Sequence, residues 1–155
     1  MLIGLDPLLT PELLHALAAM GHGDEIAIVD ANFPASSAAR RLLTLDGVDA
    51  PRALAAILSV MPLDHMVEHP ARVMAAVDKP KEVPPAVADF ARVLEQALGH
   101  KLQPKPVERQ AFYAEAKNAF AILRTGERRF YGNILLTKGV IDDQGRVPEL
   151  PRPRR

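Results

Sequence analysis

The chain contains no cysteine and no tryptophan. Without cysteine there is no disulfide, no thiolate nucleophile and no cysteine metal site. Aromatic residues are scarce: five phenylalanines and two tyrosines, Tyr113 and Tyr131. An excess of one charge is also missing, since 19 basic residues balance 19 acidic ones and the formal net charge is zero. This balance gives no electrostatic footprint for nucleic acid or an anionic membrane, and neither is expected as a partner. No apolar run reaches the length of a membrane span, and Met1–Asp6 shows no basic region leading into a long apolar segment. The cytoplasm is the expected location.

What is present is ordinary for one soluble domain with a real core: 155 residues, 48% apolar and 25% charged. Near-neutral charge removes one barrier to self-association and fits a homo-oligomer. Thr10-Pro11-Glu12 is a helix start, with a hydroxyl cap, a first-turn proline and an acid facing the positive end of the dipole. Leu13, Leu17 and Met20 follow at helical spacing, and Gly21 stops the helix. Ile26–Val29, Leu42–Leu45, Val73–Val77, Phe120–Leu123 and Ile134–Thr137 read as strands. Phe33–Ser37 reads as a loop. Pro51 opens a second helix with Leu54, Ile57 and Leu58; Val87, Phe90, Leu94 and Leu98 line a third, closed by Gly99.

Asp78–Pro85, with three prolines, reads as a linker or surface loop, and a second proline-rich connection precedes a helix over Glu108–Lys117. Helices alternating with short apolar strands predict an α/β fold, a three-layer α/β/α single domain with a mixed, mostly parallel sheet. Pro148–Arg155 holds three prolines and three arginines and is expected to be a disordered end.

The stretch Met20-Gly21-His22-Gly23-Asp24-Glu25-Ile26-Ala27-Ile28-Val29-Asp30 carries the most chemistry. A histidine between two glycines precedes a buried-type strand, and Asp30 stands at that strand's carboxyl end, where α/β sheets usually bind ligands. An imidazole and a carboxylate flanking one apolar element form a candidate acid/base pair. The plainer alternative is an exposed loop histidine and a helix-capping aspartate.

Further motifs occur in order along the chain. They are Leu8-Leu9-Thr10-Pro11-Glu12-Leu13-Leu14, Asp30-Ala31-Asn32-Phe33-Pro34-Ala35 and Pro62-Leu63-Asp64. Then come Phe112-Tyr113, Lys117, Ala119-Phe120-Ala121, Thr125-Gly126-Glu127 and Tyr131-Gly132-Asn133-Ile134-Leu135-Leu136. With the Gly-His-Gly turn, this ordered set resembles the L-fucose mutarotase and D-ribose pyranase family, most closely its fucose branch. It covers residues 1–141, leaving 142–155 as a Pro/Arg-rich tail.

The resemblance implies an isomerase that interconverts the α and β anomers of a free monosaccharide, L-fucose or a related sugar. One group protonates the ring oxygen and another takes the anomeric hydroxyl proton. The ring opens, the C1–C2 bond rotates, and reclosure gives the other anomer, with no cofactor or metal required. By resemblance His22 is the proton donor, Tyr113 and Asp64 share in proton transfer, and Asp30 and Arg109 contact the sugar. The ribose branch carries histidine at the Arg109 position. Tyr131, Gly132 and Asn133 match the sugar-binding segment, where a phenol and an amide can each donate and accept hydrogen bonds. On spacing alone, Arg109 and Tyr113 share one helical face.

Two positions depart from the pattern. Met66 stands where tyrosine is common in the fucose branch, and Gln110 stands where an aromatic is common. The family's assembly is a ring-like homo-oligomer, typically a decamer, with sites near subunit boundaries. By that analogy Tyr131–Asn133 completes a neighbour's pocket.

Other residues are expected to carry less. His65 and His69 have metal-ligand spacing, but Pro70 follows and no third ligand is evident, so no metal is expected. His15 and His100 read as surface residues, and Glu127-Arg128-Arg129 as a solvated charge cluster in a turn. Two other functional readings remain at this point: a non-catalytic sugar-binding accessory of transport or catabolism, and a structural α/β oligomerisation module.

Overall fold

The computed structural model of the chain describes residues 1–79 and 81–148. The expected disordered end therefore lies, apart from Pro148, outside the described residues. Three of the four longer helices start at a side-chain cap. The Thr10 hydroxyl accepts from the Leu13 amide at 3.2 Å to open α1 (Pro11–Ala19), and the Asp49 carboxylate accepts from Arg52 N at 2.8 Å to open α3 (Ala50–Leu58). Proline occupies the first turn of both, and of α4 (Pro85–Leu98), which ends at Gly99 with φ of 75°. The Glu108 side chain accepts from Ala111 N at the start of α5 (Arg109–Asn118). A four-residue helix, α2 (Ala35–Ala38), follows Pro34 where the sequence predicts only loop.

Six strands form one sheet: β1 (Glu25–Val29), β2 (Leu42–Leu45), β3 (Ala71–Met74), β4 (Lys105–Val107), β5 (Ala121–Thr125) and β6 (Ile134–Thr137). Their order is β2-β5-β1-β6-β3-β4, and only β6 runs against its neighbours. The sheet is thus mixed and mostly parallel, as expected. Ile26, Ile28, Leu123, Ile134 and Leu136 face α1, α3 and α4, while Ala27, Val29, Ile122 and Leu135 face α2 and α5. Covering both faces explains why the central strands are continuously apolar rather than alternating.

Two strands differ from the expectation. β3 lies at Ala71–Met74 rather than Val73–Val77, because Arg72 enters the ladder with its charge met by Glu25 and Glu115. The Val77 amide instead donates to the Tyr131 hydroxyl. β4 falls inside the second proline-rich connection, and Pro106 is accommodated because β4 is an edge strand. The described part of the tail closes a turn in which the Asp142 amide donates to the Arg146 carbonyl.

Candidate functional site

The candidate site residues fall into two clusters at opposite ends of β1. At its amino end is the turn bearing His22. The Gly21 amide donates to the Asp24 carboxylate at 2.7 Å, and Gly23 adopts φ of 84°, a left-handed conformation that favours glycine. Lys138, just past β6, fixes this turn: its carbonyl accepts from Gly23 N, its amide donates to Asp24 O, and its ammonium caps α1 at the Leu17 and Met20 carbonyls. Next to it, Gly139 donates to Pro62 O at 2.8 Å. A Cβ on Gly139 would lie 2.4 Å from Leu63 O, so only glycine lets the 62–64 segment approach this closely.

The same approach delivers Asp64, whose amide donates to Thr137 O. Its carboxylate sits 3.1 Å from His22 Nε2 and also accepts from Met66 N at 2.9 Å. The Asp64 side chain is 3% exposed and the imidazole 43% exposed. A buried carboxylate thus orients a part-exposed imidazole. That is an arrangement suited to proton transfer.

At the carboxyl end Asp30 and Asn133 pair reciprocally: Asp30 N donates to Asn133 Oδ1 at 2.9 Å, and Asn133 Nδ2 donates to Asp30 Oδ2 at 3.0 Å. The other Asp30 oxygen accepts from Asn32 N. Both residues are buried. Burial pushes the Asp30 carboxyl above the usual carboxylate range, against the hydrogen bonds from Asn32, Asn133 and Phe33 that favour its charge, and nearby Glu127 adds to the rise.

Tyr131 adopts φ of 61° and its hydroxyl is held by Val77 N. Gly132 has no room for a side chain: a Cβ would lie 2.5 Å from Glu127 Cγ. Tyr113 stacks obliquely on Phe33, ring centroids 5.2 Å apart, and Phe33 N donates back to Asp30 O. Arg109 opens α5 directly after parallel strand β4, and so stands exposed at this same end. A cleft of about 580 Å³ opens beside Tyr131, with Ala76, Asp78, Val83, Arg129 and Phe130 among its walls.

His22 and Asp30 are not an acid/base pair within one chain. The five-residue strand between them sets the two clusters at least roughly 13 Å apart at ~3.3 Å per residue. The antiparallel register agrees, since Thr137, beside Asp64, pairs with Glu25, and Ile134, beside Asn133, pairs with Ile28. Tyr113 and Asp64, coupled by resemblance, are likewise separated. Glu127 is a second correction: it is 3% exposed and ion-paired, so only Arg128 of that triplet is a solvated charge. Among the described residues no group of three or more acidic or histidine side chains could hold a metal ion, and no helix is long and apolar enough to cross a membrane.

Sequence reasoning missed Lys138, Gly139 and the role of Glu127. The signal was faint: a Lys-Gly pair directly after an apolar strand, and a Thr-Gly-Glu end to another.

The chain is similar to known proteins along most of its length. The chain is 45% identical to the fucose mutarotase of Homo sapiens over 144 residues, covering 89% of this chain and 93% of that protein. Its fold matches the crystal structure of the fucose mutarotase from Streptococcus pneumoniae in complex with L-fucose, with a TM-score of 0.85, 38% identity, and coverage of 91% and 100%. Bacillus subtilis RbsD complexed with D-ribose is more distant, at a TM-score of 0.63 and 26% identity, with 86% and 95% covered. Residues 3–141 match the RbsD / FucU transport protein family. The chain belongs to the RbsD / FucU family.

Proposed function

We propose that this chain is a sugar mutarotase of the fucose type, an isomerase whose working site is assembled from the two clusters of different copies. The observation that carries this reading is their separation: His22 and Asp64 lie at one end of β1, and Tyr113 lies with the sugar-gripping groups at the other. Similarity to fucose mutarotases over about nine-tenths of the chain supports the reaction and L-fucose as a substrate. The ring-like homo-oligomer, decameric by the resemblance, would bring the His22 end of one copy to the Asp30 end of its neighbour. The proposed setting is the cytoplasm.

In this reading Asp30, Arg109, Tyr131 and Asn133 hold the hydroxyls of the sugar, and Gly132 lets the backbone come close. His22, steadied by Asp64, gives a proton to the ring oxygen while the Tyr113 hydroxyl accepts the anomeric hydroxyl proton and passes its own on to solvent. The C1–O bond of the ring breaks and an aldehyde forms. Rotation about C1–C2 presents the other face of the carbonyl, and reclosure returns both protons. No net redox change occurs, and the residues act by position and proton transfer alone.

The test is NMR exchange between the anomers of L-fucose, D-ribose and D-galactose, with and without protein. Enhanced exchange for L-fucose is expected, lost in a folded His22→Ala protein. Enhancement for none of the sugars would overturn the enzyme reading, and sugar binding without enhancement would favour an accessory role.

A further inference from the structure

We propose that Glu127, Arg129 and Asp89 form an ionic clamp that positions the Tyr131–Asn133 turn against Asp30; the inference rests on the sugar-binding role proposed for that turn. Glu127 is tied to both sides of the site. Its amide donates to the Thr125 hydroxyl, which itself donates to the Val29 carbonyl, and the Glu127 carbonyl accepts from Ala31 N at 2.9 Å. The backbone on either side of Asp30 is thereby fastened to residue 127.

The side chain fastens the other half. Glu127 Oε1 accepts from the Arg129 amide at 2.9 Å and from Arg129 Nε at 3.0 Å, and Oε2 accepts from Nη2 at 3.0 Å. Arg129 Nη1 then reaches Asp89 on α4 at 2.7 Å, and Asp89 also pairs with Arg92. The segment from 127 to 129 is closed on itself and moored to a helix. Tyr131 follows in a left-handed conformation that a non-glycine residue holds only when its surroundings impose it. Gly132 then packs on Glu127 Cγ, in the space a Cβ would need.

An ion pair between a buried carboxylate and a part-exposed guanidinium adds little net stability, because desolvation of the carboxylate offsets much of the attraction. What it supplies is geometry. The fork of Arg129 allows one arrangement of the Glu127 carboxylate, and that carboxylate sets where Gly132, and with it Asn133, can lie. Burial alone would raise the Glu127 carboxyl, but hydrogen bonds from Arg129, its charge and the Ala50 amide hold it below the ordinary glutamate range. The clamp therefore stays charged at neutral pH.

The experiment compares Arg129→Gln, Arg129→Lys and Asp89→Asn by NMR anomer exchange of L-fucose and by amide hydrogen exchange. Arg129→Gln is expected to raise KM about tenfold while kcat stays within about twofold, the signature of weakened binding rather than altered chemistry. Arg129→Lys, which keeps the charge, recovers part of that loss, and Asp89→Asn raises KM by about two- to threefold. Amides of Tyr131–Asn133 exchange faster in the same order, with the sheet unaffected. A folded Arg129→Gln protein with wild-type KM and wild-type exchange at Tyr131–Asn133 would overturn the proposal. If Arg129→Gln does not fold, Asp89→Asn decides in the same way. A wild-type protein that enhances no sugar exchange would sink the mutarotase reading instead, and the local amide exchange would still test the clamp.

Discussion

At the amino end of β1, His22 stands 43% exposed on a two-glycine turn with one side-chain partner, whereas at the carboxyl end Asp30 and Asn133 are enclosed and share two hydrogen bonds. In the proposed reaction the first end presents an imidazole that gives up and regains a proton. The second presents a carboxylate and an amide fixed by each other and by the Asn32 amide. Proton exchange needs access and some freedom, and recognition of a polyol needs donors and acceptors set before the ligand arrives. One short strand keeps the two requirements from interfering.

The sharpest way to break this contrast is to place the damage in different copies. His22→Ala and Tyr113→Phe chains are each expected to lose roughly 10²–10⁴-fold in exchange rate. Co-expressed as mixed oligomers, they should recover about a quarter of the wild-type sites, since each intact half can come from the other chain. Mixed oligomers with no recovery would show that both halves are needed from one chain. Next in size, Asp64→Asn should lower kcat by about 10- to 100-fold with little change in KM, because His22 loses its orienting carboxylate. An unchanged kcat would reduce Asp64 to a cap for the Met66 amide.

At the other end, Asn133→Ala strips buried Asp30 of two partners and should cost about 1–3 kcal/mol in urea unfolding. Sugar protection against thermal unfolding should fall with it. A cost within error would show that the carboxyl end is less preorganised than its hydrogen bonds imply.

The smallest effects are in pH, and they have opposite signs within one cluster. Glu127 titrates below its ordinary range when folded, so its contribution is present above the unfolded value and lost as pH falls through the depressed folded one. Glu127→Gln should therefore be less stable than wild type at neutral pH, with the gap closing in acid. Asp30 is raised by burial, so its charged form carries a penalty that is relieved as pH falls through its folded value. The stability of wild type relative to Asp30→Asn should thus shift in favour of wild type on acidification. Chemical denaturation from neutral pH into acid checks both, and parallel slopes would refute the contrast.

Much of this architecture is legible before any coordinates. Thr10 caps the first helix by local rules, and β1, β2 and β6 follow from short apolar runs. Motif resemblance supplies the candidate site residues but not their division between the two ends of β1. That division depends on β6 running antiparallel to β1, and on contacts such as Asp30 to Asn133 and Gly23 to Lys138 that span more than a hundred residues. Glu127 reads as a surface charge because Asp89, the outer anchor of its arginine, lies far off in sequence. β4 is hidden by Pro106, a residue excluded from strand interiors but harmless at an edge.

The lone antiparallel strand has a consequence for any assembly this chain enters. Asn133 precedes Ile134 and Lys138 follows Thr137, so four residues of β6 act as a caliper whose jaws touch both half-sites. Because side chains alternate along a strand, a one-residue deletion between Ile134 and Thr137 would reverse its facing as well as shorten its span. Neither jaw can be reset alone. In the proposed ring, the length of this four-residue strand would help set the spacing between successive sites.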